Sequence, residues 1–504
     1  MTAESAVPQR RAAAIGVRLR LALAALAGAG AALGQAPLGL WPLTLLGFAA
    51  LVPLWSGAGA PRRAGLAAWA FGLGHFAVAL HWIVEPFFVD AARDGWMAPF
   101  ALVFLSGGLA LFWGAAGWAA ARLGAGAAGF VAALGLAELA RAYVFTGFPW
   151  AMPGHAFIGT PVMQWAAWIG PHGLTLATLA VAMLPAALLG EGRRWAALGA
   201  AAGALALLWG GGLARLAEPL PEPTPHVVRL IQPNAPQHQK WDPDHIPIFY
   251  ARQVSFTMAE PRPDLVVWPE TSLPDLLERA GAPLAHIAEA ASGAPVVLGI
   301  QRSDGGRYYN SAVLLDAEGR PADVYDKHHL VPFGEYMPWP AFWRRLGIHG
   351  LAARADGGYT PGPGPRLLDT GPLGPALPLI CYEAVFPQDV AGAPERPAYL
   401  LHLTNDAWFG TFSGPYQHLA QARLRAVEQG LPLMRAANTG VSAAIDAHGG
   451  IVSDIPLGQA GYVDVRLPAA LPPTIYARTG DWPAALALLA LLAAAAAWGR
   501  RKTD

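Results

Sequence analysis

Long apolar stretches broken by short arginine-bearing gaps fill roughly the first 220 residues, after which the pattern changes. The stretches cover residues 16–35, 38–57, 65–84, 96–121, 124–143, 161–189 and 195–213. A helix needs about 20 residues to cross a hydrocarbon core, so each stretch predicts one span. The first has Arg10, Arg11, Arg18 and Arg20 before or at its start, as a signal peptide would, but the spans behind it make it an uncleaved helix. An eighth apolar stretch, residues 482–498, stands alone near the C-terminus.

Between the seventh and eighth stretches, residues 225–467 alternate short β-branched runs with helical segments and turn residues, the pattern of a soluble α/β domain. Strands are predicted over 226–232, 265–268, 296–301, 311–315, 377–380, 399–403, 433–437 and 441–445, with a hairpin strand ending at Lys327. Helices are predicted over 246–260, 284–291 and 417–429, and the Gly- and Pro-rich residues 350–365 form a loop. The expected organisation is a membrane domain over 1–220, a globular insert over 225–467, a last span over 480–499 and a tail over 500–504.

Charge then sets the orientation. Arg62 and Arg63, Arg122, Arg193 and Arg194, and finally Arg500, Arg501 and Lys502 lie in every second gap, while the gaps around 90–94 and 147–160 hold little positive charge beyond Arg93. Short loops rich in Lys and Arg stay cytoplasmic, so both termini are expected inside and the insert outside. Glu138 and Arg141, three apart on the fifth span, are expected to pair within the bundle, and His75 and His81 to sit at its interface. Trp82, Phe87, Phe88, Trp96 and Trp150 are candidates for an interfacial aromatic belt.

Composition narrows the function classes. Of 504 residues, 54% are hydrophobic and 13% charged, against about 25% charged in a soluble domain. Thirty-four basic and thirty-four acidic residues cancel, leaving no excess charge with which to hold nucleic acid. The single cysteine, Cys381, excludes an internal disulfide and a multi-thiolate zinc site, and the adjacent His328 and His329 lack the spacing and further ligands of a metal site. No metal or cofactor is expected. Only three lysines occur, Lys240, Lys327 and Lys502, which raises the question of what each does that arginine would not.

Three chemically useful residues fall at predicted strand ends, where open α/β sheets build their sites. The run from Asp264 delivers Glu270, the hairpin strand delivers Lys327, and the run from Leu377 delivers Cys381. A carboxylate, an ammonium and a thiol suffice for acyl transfer: the first takes the thiol proton, the thiolate attacks a carbonyl, and the ammonium with nearby N–H groups holds the oxyanion. Lysine suits that position because it is a compact charge with a tunable pKa.

In order, WPE at 268–270, YDKHHLVPFGEY at 325–336, CYE at 381–383 and TNDAWFG at 404–410 resemble the nitrilase superfamily. With the flanking spans they resemble its membrane-embedded branch, the apolipoprotein N-acyltransferases. That resemblance implies a polytopic α-helical membrane protein of about eight spans with an exported αββα sandwich domain. It implies Glu270 as general base, Lys327 as oxyanion stabiliser and Cys381 as nucleophile. Glu335 and Glu383 match the family's further acidic positions, expected to orient Lys327 and the substrate amine, and the backbone N–H of Tyr382 is expected in the oxyanion hole. Trp241, Asn310 with its neighbours Tyr309 and Ser311, the segment Gln232-Pro233-Asn234, and Asn405 with Asp406 are expected as site walls, and Trp150, in the stretch from Gly147, as a brace of the lipid entrance. The implied reaction moves an acyl chain from a membrane phospholipid through a Cys381 thioester to the N-terminal amine of a diacylglyceryl-cysteine apolipoprotein. The place is the bacterial inner membrane with the domain on the periplasmic side, and a monomer is expected. A membrane-anchored amidase, with water in place of the amine, would use the same three residues, and an inactive membrane scaffold or transporter remains the reading from another class.

Overall fold

The computed structural model describes residues 16–345 and 358–501. Arg10, Arg11, Lys502 and residues 350–357 of the expected loop therefore lie outside the described residues. Among the described residues, seven long helices precede the globular region: α1 (Val17–Ala32), α2 (Trp41–Ser56), α3 (Pro61–Ala79), α4 (Ala98–Arg122), α5 (Gly126–Tyr143), α6 (Ala166–Gly190) and α7 (Arg194–Leu216). With the C-terminal helix Trp482–Arg501, every apolar stretch is helical where it was expected. Among the described residues, five helices are long and apolar enough to cross a membrane, or six if α3 is joined to the short helix His81–Phe88, from which it is bent by 47°. Five or six of the eight expected spans thus meet that length among the described residues: α1 and α2 have 16 residues each there, and the third stretch breaks after Ala79. Helix α6 turns sharply at Gly170, whose φ of 66° precedes Pro171 and whose missing Cβ makes room for the Tyr476 ring.

The globular region packs two sheets face to face. The first has the order β13-β1-β2-β4-β5-β6, built from β1 (Val227–Gln232), β2 (Leu265–Val267), β4 (Val296–Asp304), β5 (Arg307–Leu315), β6 (Pro321–Asp326) and β13 (Gly461–Arg466), with β3 (Leu273–Leu276) pairing beside β4. The second has the order β12-β11-β10-β9-β8-β7, from β7 (Leu368–Asp369), β8 (Pro375–Ile380), β9 (Tyr399–Thr404), β10 (Leu433–Ala437), β11 (Ser442–Ile445) and β12 (Ile451–Ile455). Alternation along each strand explains the layers. Val228, Leu230, Val267 and Val297 meet Leu401, Leu403, Met434 and Ala444 between the sheets. On the outer face of the first sheet, Val266, Leu298 and Trp268 pack on α8 (Ile246–Thr257) and α9 (Gly281–Ala290) through Val254, Leu284 and Ile287. On the outer face of the second, Leu377, Leu400 and Leu433 pack on α10 (Gly414–Gln429) through Leu419, Ala422 and Ala426. The result is an αββα sandwich.

The sandwich is seated on one end of the helical bundle. Tyr382, Val385 and Phe386, just past the end of β8, are buried in the same apolar cluster as the membrane helices, and Leu424 and Val427 of α10 pack with residues of α6. Gln417 fastens the join: its Oε1 accepts from the indoles of Trp82 at 3.2 Å and Trp150 at 2.7 Å, and its Nε2 donates to the carbonyls of Ala79 at 3.0 Å and Ala36 at 3.2 Å. At the other end, Gly499 of α11 (Trp482–Arg501) lies against the turn at Gly124, and Arg20 donates to Leu54 O at 2.6 Å. The helix ends that carry Arg20, Arg122, Arg500 and Arg501 thus lie away from the sandwich.

Glu138 and Arg141 pair as expected, Arg141 Nη2 lying 2.6 Å from Glu138 Oε2 with both residues buried. Trp113 donates to Glu138 Oε1 at 2.7 Å, and Arg141 donates to the carbonyls of Phe148 and Trp150, so the pair also holds the loop that meets the sandwich. His75 departs from the interfacial expectation, being wholly buried with Nε2 3.0 Å from Ala151 O, because the same loop folds inward over it. Arg141→Met is expected to cost about 3–5 kcal/mol by leaving Glu138 charged and alone. A thermal melt in detergent reads this directly, and a melting temperature equal to wild type would show that the pair contributes nothing.

Candidate active site

Strand β2 ends at Val267, and Trp268-Pro269 carry the chain to Glu270. Gly299 on β4 is needed here: a Cβ would sit 2.6 Å from Glu270 Cα and 2.4 Å from Thr271 N. The close approach lets Ser272 N donate to Gly299 O at 2.8 Å and fixes the backbone beneath the carboxylate. Glu270 Oε1 accepts from Asn310 Nδ2 at 2.7 Å and Oε2 from the Asn405 backbone N–H at 2.9 Å. Two oriented donors, one from each sheet, thus aim a carboxylate that is only 6% exposed.

Lys327 follows β6 and is 1% exposed. Its N–H donates to Asn310 O at 2.8 Å, and its Nζ lies 2.9 Å from Glu335 Oε1 and 3.6 Å from Glu270 Oε1. Burial alone would lower its pKa, but the charges of Glu335 and Glu270 outweigh burial and hold it above the ordinary lysine value. Glu335 is itself set by its loop, Oε2 accepting from Val331 N at 2.9 Å. Asn310 Nδ2 reaches both carboxylates, at 2.7 Å to Glu270 and 3.1 Å to Glu335, so one amide spaces two acids around one ammonium.

Cys381 sits where β8 stops and a short 3-10 helix, Cys381–Val385, begins. Its φ of 51° is left-handed, a conformation that costs a non-glycine residue about 1–2 kcal/mol. Such strain at a strand-to-helix turn presents a side chain sharply at the sheet edge. Burial pushes the Cys381 thiol above its ordinary pKa, Glu270 pushes the same way, and Lys327 and a hydrogen bond with Thr404 pull it down. The resting group is a thiol that needs a base, and Glu270 is the carboxylate acting on it most strongly.

The turn behind Cys381 is braced on two sides. Glu383 accepts from Ile380 N at 2.7 Å, His328 N at 2.8 Å and the Tyr325 hydroxyl at 2.8 Å, with His328 Nδ1 at 2.7 Å. Burial lowers the His328 pKa, yet its bonds to Asp389 and Glu383 raise it to about 10. Opposite, the Cys381 carbonyl faces His402 Nε2 and His418 Nε2, each at 3.1 Å. Asp406 accepts from Arg435 and from His418 Nδ1, the latter at 2.8 Å.

Of the residues picked out in the sequence, the structure brings Glu270, Lys327, Cys381, Glu335, Asn310 and Asn405 together. Glu383 is not beside Lys327: backbone amides draw it into the Cys381 turn, so it braces the turn and Glu335 alone of the two meets the ammonium. His328 and His329 face Glu383 and Asp389 and so do not pair with the thiol. Trp241 is half-buried, and among the described residues no hydrogen bond or ring contact joins it to the cluster. Its neighbour Lys240 does reach in, donating to Glu270 O at 3.1 Å, with burial lowering its pKa to about 8 against the pull of Glu270 and Cys381. Trp150 and Trp82 pack tilted against each other inside the join, centroids 4.7 Å apart at 43°, because Gln417 binds both indoles; Trp96 and Phe88 are exposed as a belt requires. Gln232 ties the two sheets by accepting from Ser442 Oγ at 2.6 Å, and Ser311 donates to Asp326 at 2.7 Å, so these hold walls apart from the carboxylates. Sequence reasoning missed His402, His418 and Arg435, although a His in LLHLT and an Arg in LMRAA are polar residues inside otherwise apolar strands, which is a readable anomaly.

Two family models match the chain: the apolipoprotein N-acyltransferase N-terminal domain over residues 27–184 and carbon-nitrogen hydrolase over 234–472. The apolipoprotein N-acyltransferase of Rhodopseudomonas palustris is 40% identical over 505 residues, covering 94% of both chains. That of Brucella melitensis is 40% identical over 506 residues, covering 94% of this chain and 95% of the relative. Among solved structures, an amidase from Nesterenkonia sp. superposes with a TM-score of 0.37 at 19% identity, covering 52% of this chain and 96% of the amidase.

Proposed function

Because the chain belongs to the apolipoprotein N-acyltransferase family, and is an acyltransferase with a phospholipid donor and a protein acceptor, we propose that Cys381, Glu270 and Lys327 carry out the transfer. Glu270 takes the Cys381 proton as sulfur attacks the ester carbonyl of a phospholipid. Lys327 Nζ and the Tyr382 N–H, one of the leading N–H groups that lack a partner within a helix, stabilise the oxyanion. Collapse breaks the ester bond, and the lysophospholipid oxygen leaves with the proton held by Glu270. The N-terminal amine of a diacylglyceryl-cysteine apolipoprotein then attacks the thioester, gives its proton to Glu270 and takes the acyl chain, and the thiolate is reprotonated.

One observation carries this reading: the ammonium of Lys327 lies 2.9 Å from Glu335 and 3.6 Å from Glu270, beside the chain's single cysteine, on a turn buried among membrane helices. A site at that join meets donor and acceptor lipids at the surface that anchors both, which raises their effective concentration. We further propose that the arginine-rich bundle end is cytoplasmic and the sandwich periplasmic, in the inner membrane. Purified protein incubated with phospholipid vesicles alone is expected to carry a hydroxylamine-labile acyl group on the Cys381 peptide, seen by mass spectrometry. Folded protein that stays unacylated would overturn the thioester step and favour hydrolysis of a small amide.

A further inference from the structure

The carbonyl of Cys381 belongs to the same peptide unit as the N–H of Tyr382, and that carbonyl faces two imidazoles. His402 Nε2 and His418 Nε2 both lie 3.1 Å from Cys381 O, with the rings packed edge to face, centroids 5.0 Å apart at 79°. The proton on His402 is assigned by Cys381 O, which can only accept, so Nε2 carries the hydrogen toward it. Nδ1 is then bare, and the Arg435 guanidinium, which can only donate, lies against that ring with Nη1 2.8 Å from Nδ1 and 3.5 Å from Nε2. Burial, reinforced by Arg435, lowers the His402 pKa and keeps the ring in that neutral form. His418 turns its other nitrogen to Asp406 Oδ1 at 2.8 Å, and Asp406 also accepts from Arg435. All four side chains are buried. Neighbouring strands bring them together: His402 pairs with Arg435 across β9 and β10, and with Leu379 of β8 on the other side.

We infer that His402, held by Arg435, is a positioning residue that fixes and polarises the Cys381–Tyr382 peptide so that the Tyr382 N–H meets the oxyanion. The reason is cooperative. A hydrogen bond accepted by an amide oxygen draws electron density from its nitrogen and makes the N–H of the same unit a stronger donor. The bond from His402 also holds in place a residue whose left-handed φ of 51° would otherwise relax. This rests on the proposal that Cys381 is the nucleophile.

Two substitutions separate this role from a merely structural one. His402→Asn keeps an acceptor where Nδ1 meets Arg435 but is too short to reach Cys381 O. His402→Gln places a donor near the old Nε2 but gives up the Arg435 bond. The expected result is that His402→Asn lowers the single-turnover rate of Cys381 acylation from phospholipid about tenfold, or about 1.4 kcal/mol. His402→Gln is expected to recover most of that loss. Alkylation of Cys381 by iodoacetamide, a displacement with no oxyanion, is expected to stay at the wild-type rate in His402→Asn. If neither variant folds, Arg435→Lys decides, because it keeps a charge beside Asp406 and gives up the guanidinium that lies against the His402 ring, and it is expected to slow acylation while leaving alkylation unchanged. The inference is overturned if His402→Asn, or Arg435→Lys in its place, acylates at the wild-type rate, if alkylation falls in step with acylation, or if His402→Gln is the slower of the His402 pair. Failure of wild-type protein to form any adduct would instead remove the nucleophile assignment.

Discussion

Cys381→Ala is expected to give a folded protein that forms no acyl adduct and transfers acyl chains at least about 10³-fold more slowly than wild type. The chain holds no second cysteine, so no thiol can stand in. Folding survives because the substitution removes one atom from a side chain at a sheet edge, and alanine meets the same backbone cost at φ 51° as cysteine does. The Glu270–Lys327–Glu335 charges remain paired without the sulfur, since the geometry joining them does not pass through it. The check is a transfer assay with a fluorescent phospholipid and a diacylated lipopeptide, alongside a thermal melt. Transfer above about a tenth of the wild-type rate, in protein melting within a few degrees of wild type, would mean direct attack by the acceptor amine and would end the two-step scheme.

Much of this arrangement was legible in the chain. Apolar runs longer than about 18 residues have few soluble alternatives, so each stretch became a helix. Their ends were less legible. The third stretch reads as continuous through Val84, yet its helix stops at Ala79 and the chain bends by 47°, and the Ala79 carbonyl freed there is taken by Gln417, 338 residues away. Strands buried on both faces, such as Tyr399–Thr404, stood out as apolar runs, whereas Ile451–Ile455, Gly461–Arg466 and the short Leu273–Leu276 and Leu368–Asp369 were missed. Those lie at or near sheet edges, where one face is wet and the apolar signal is halved.

The site divides the same way. Glu270, Lys327 and Cys381 were found because each closes a strand, and strand ends converge at a sheet edge whatever the tertiary detail. What each supporting acid does was not legible, because it depends on where backbone N–H groups point. Glu383 lies two residues from Cys381 and faces away into Ile380 N and His328 N, while Glu335, 46 residues from Cys381, meets the ammonium. Nearness in sequence misled where hydrogen-bond direction decided. Likewise the Trp150 indole found Gln417 rather than the membrane interface, an attraction that no local pattern contains.

Lys327→Met is expected to be the other large effect, and its two consequences separate. Removing the ammonium leaves Glu270 and Glu335 bridged only by Asn310, so two buried carboxylates face each other and one must bind a proton. Stability is expected to fall by about 3–5 kcal/mol, the cost of breaking a buried ion pair on one side. Acylation is expected to slow by about 10²–10³-fold from loss of one oxyanion donor, more if the protonated carboxylate is Glu270 and the base is lost as well. Lys327→Arg is not expected to restore the rate, since a planar guanidinium cannot place one compact charge 2.9 Å from Glu335 and 3.6 Å from Glu270 in a site closed to solvent. The double variant Lys327→Met with Glu335→Gln tells the roles apart. It removes the charge conflict, so the melting temperature is expected to rise back toward wild type, while single-turnover acylation remains slow because nothing replaces the cation at the oxyanion. A double variant that regained the wild-type rate would show that Lys327 only balances Glu335, and that the Tyr382 N–H holds the oxyanion without it.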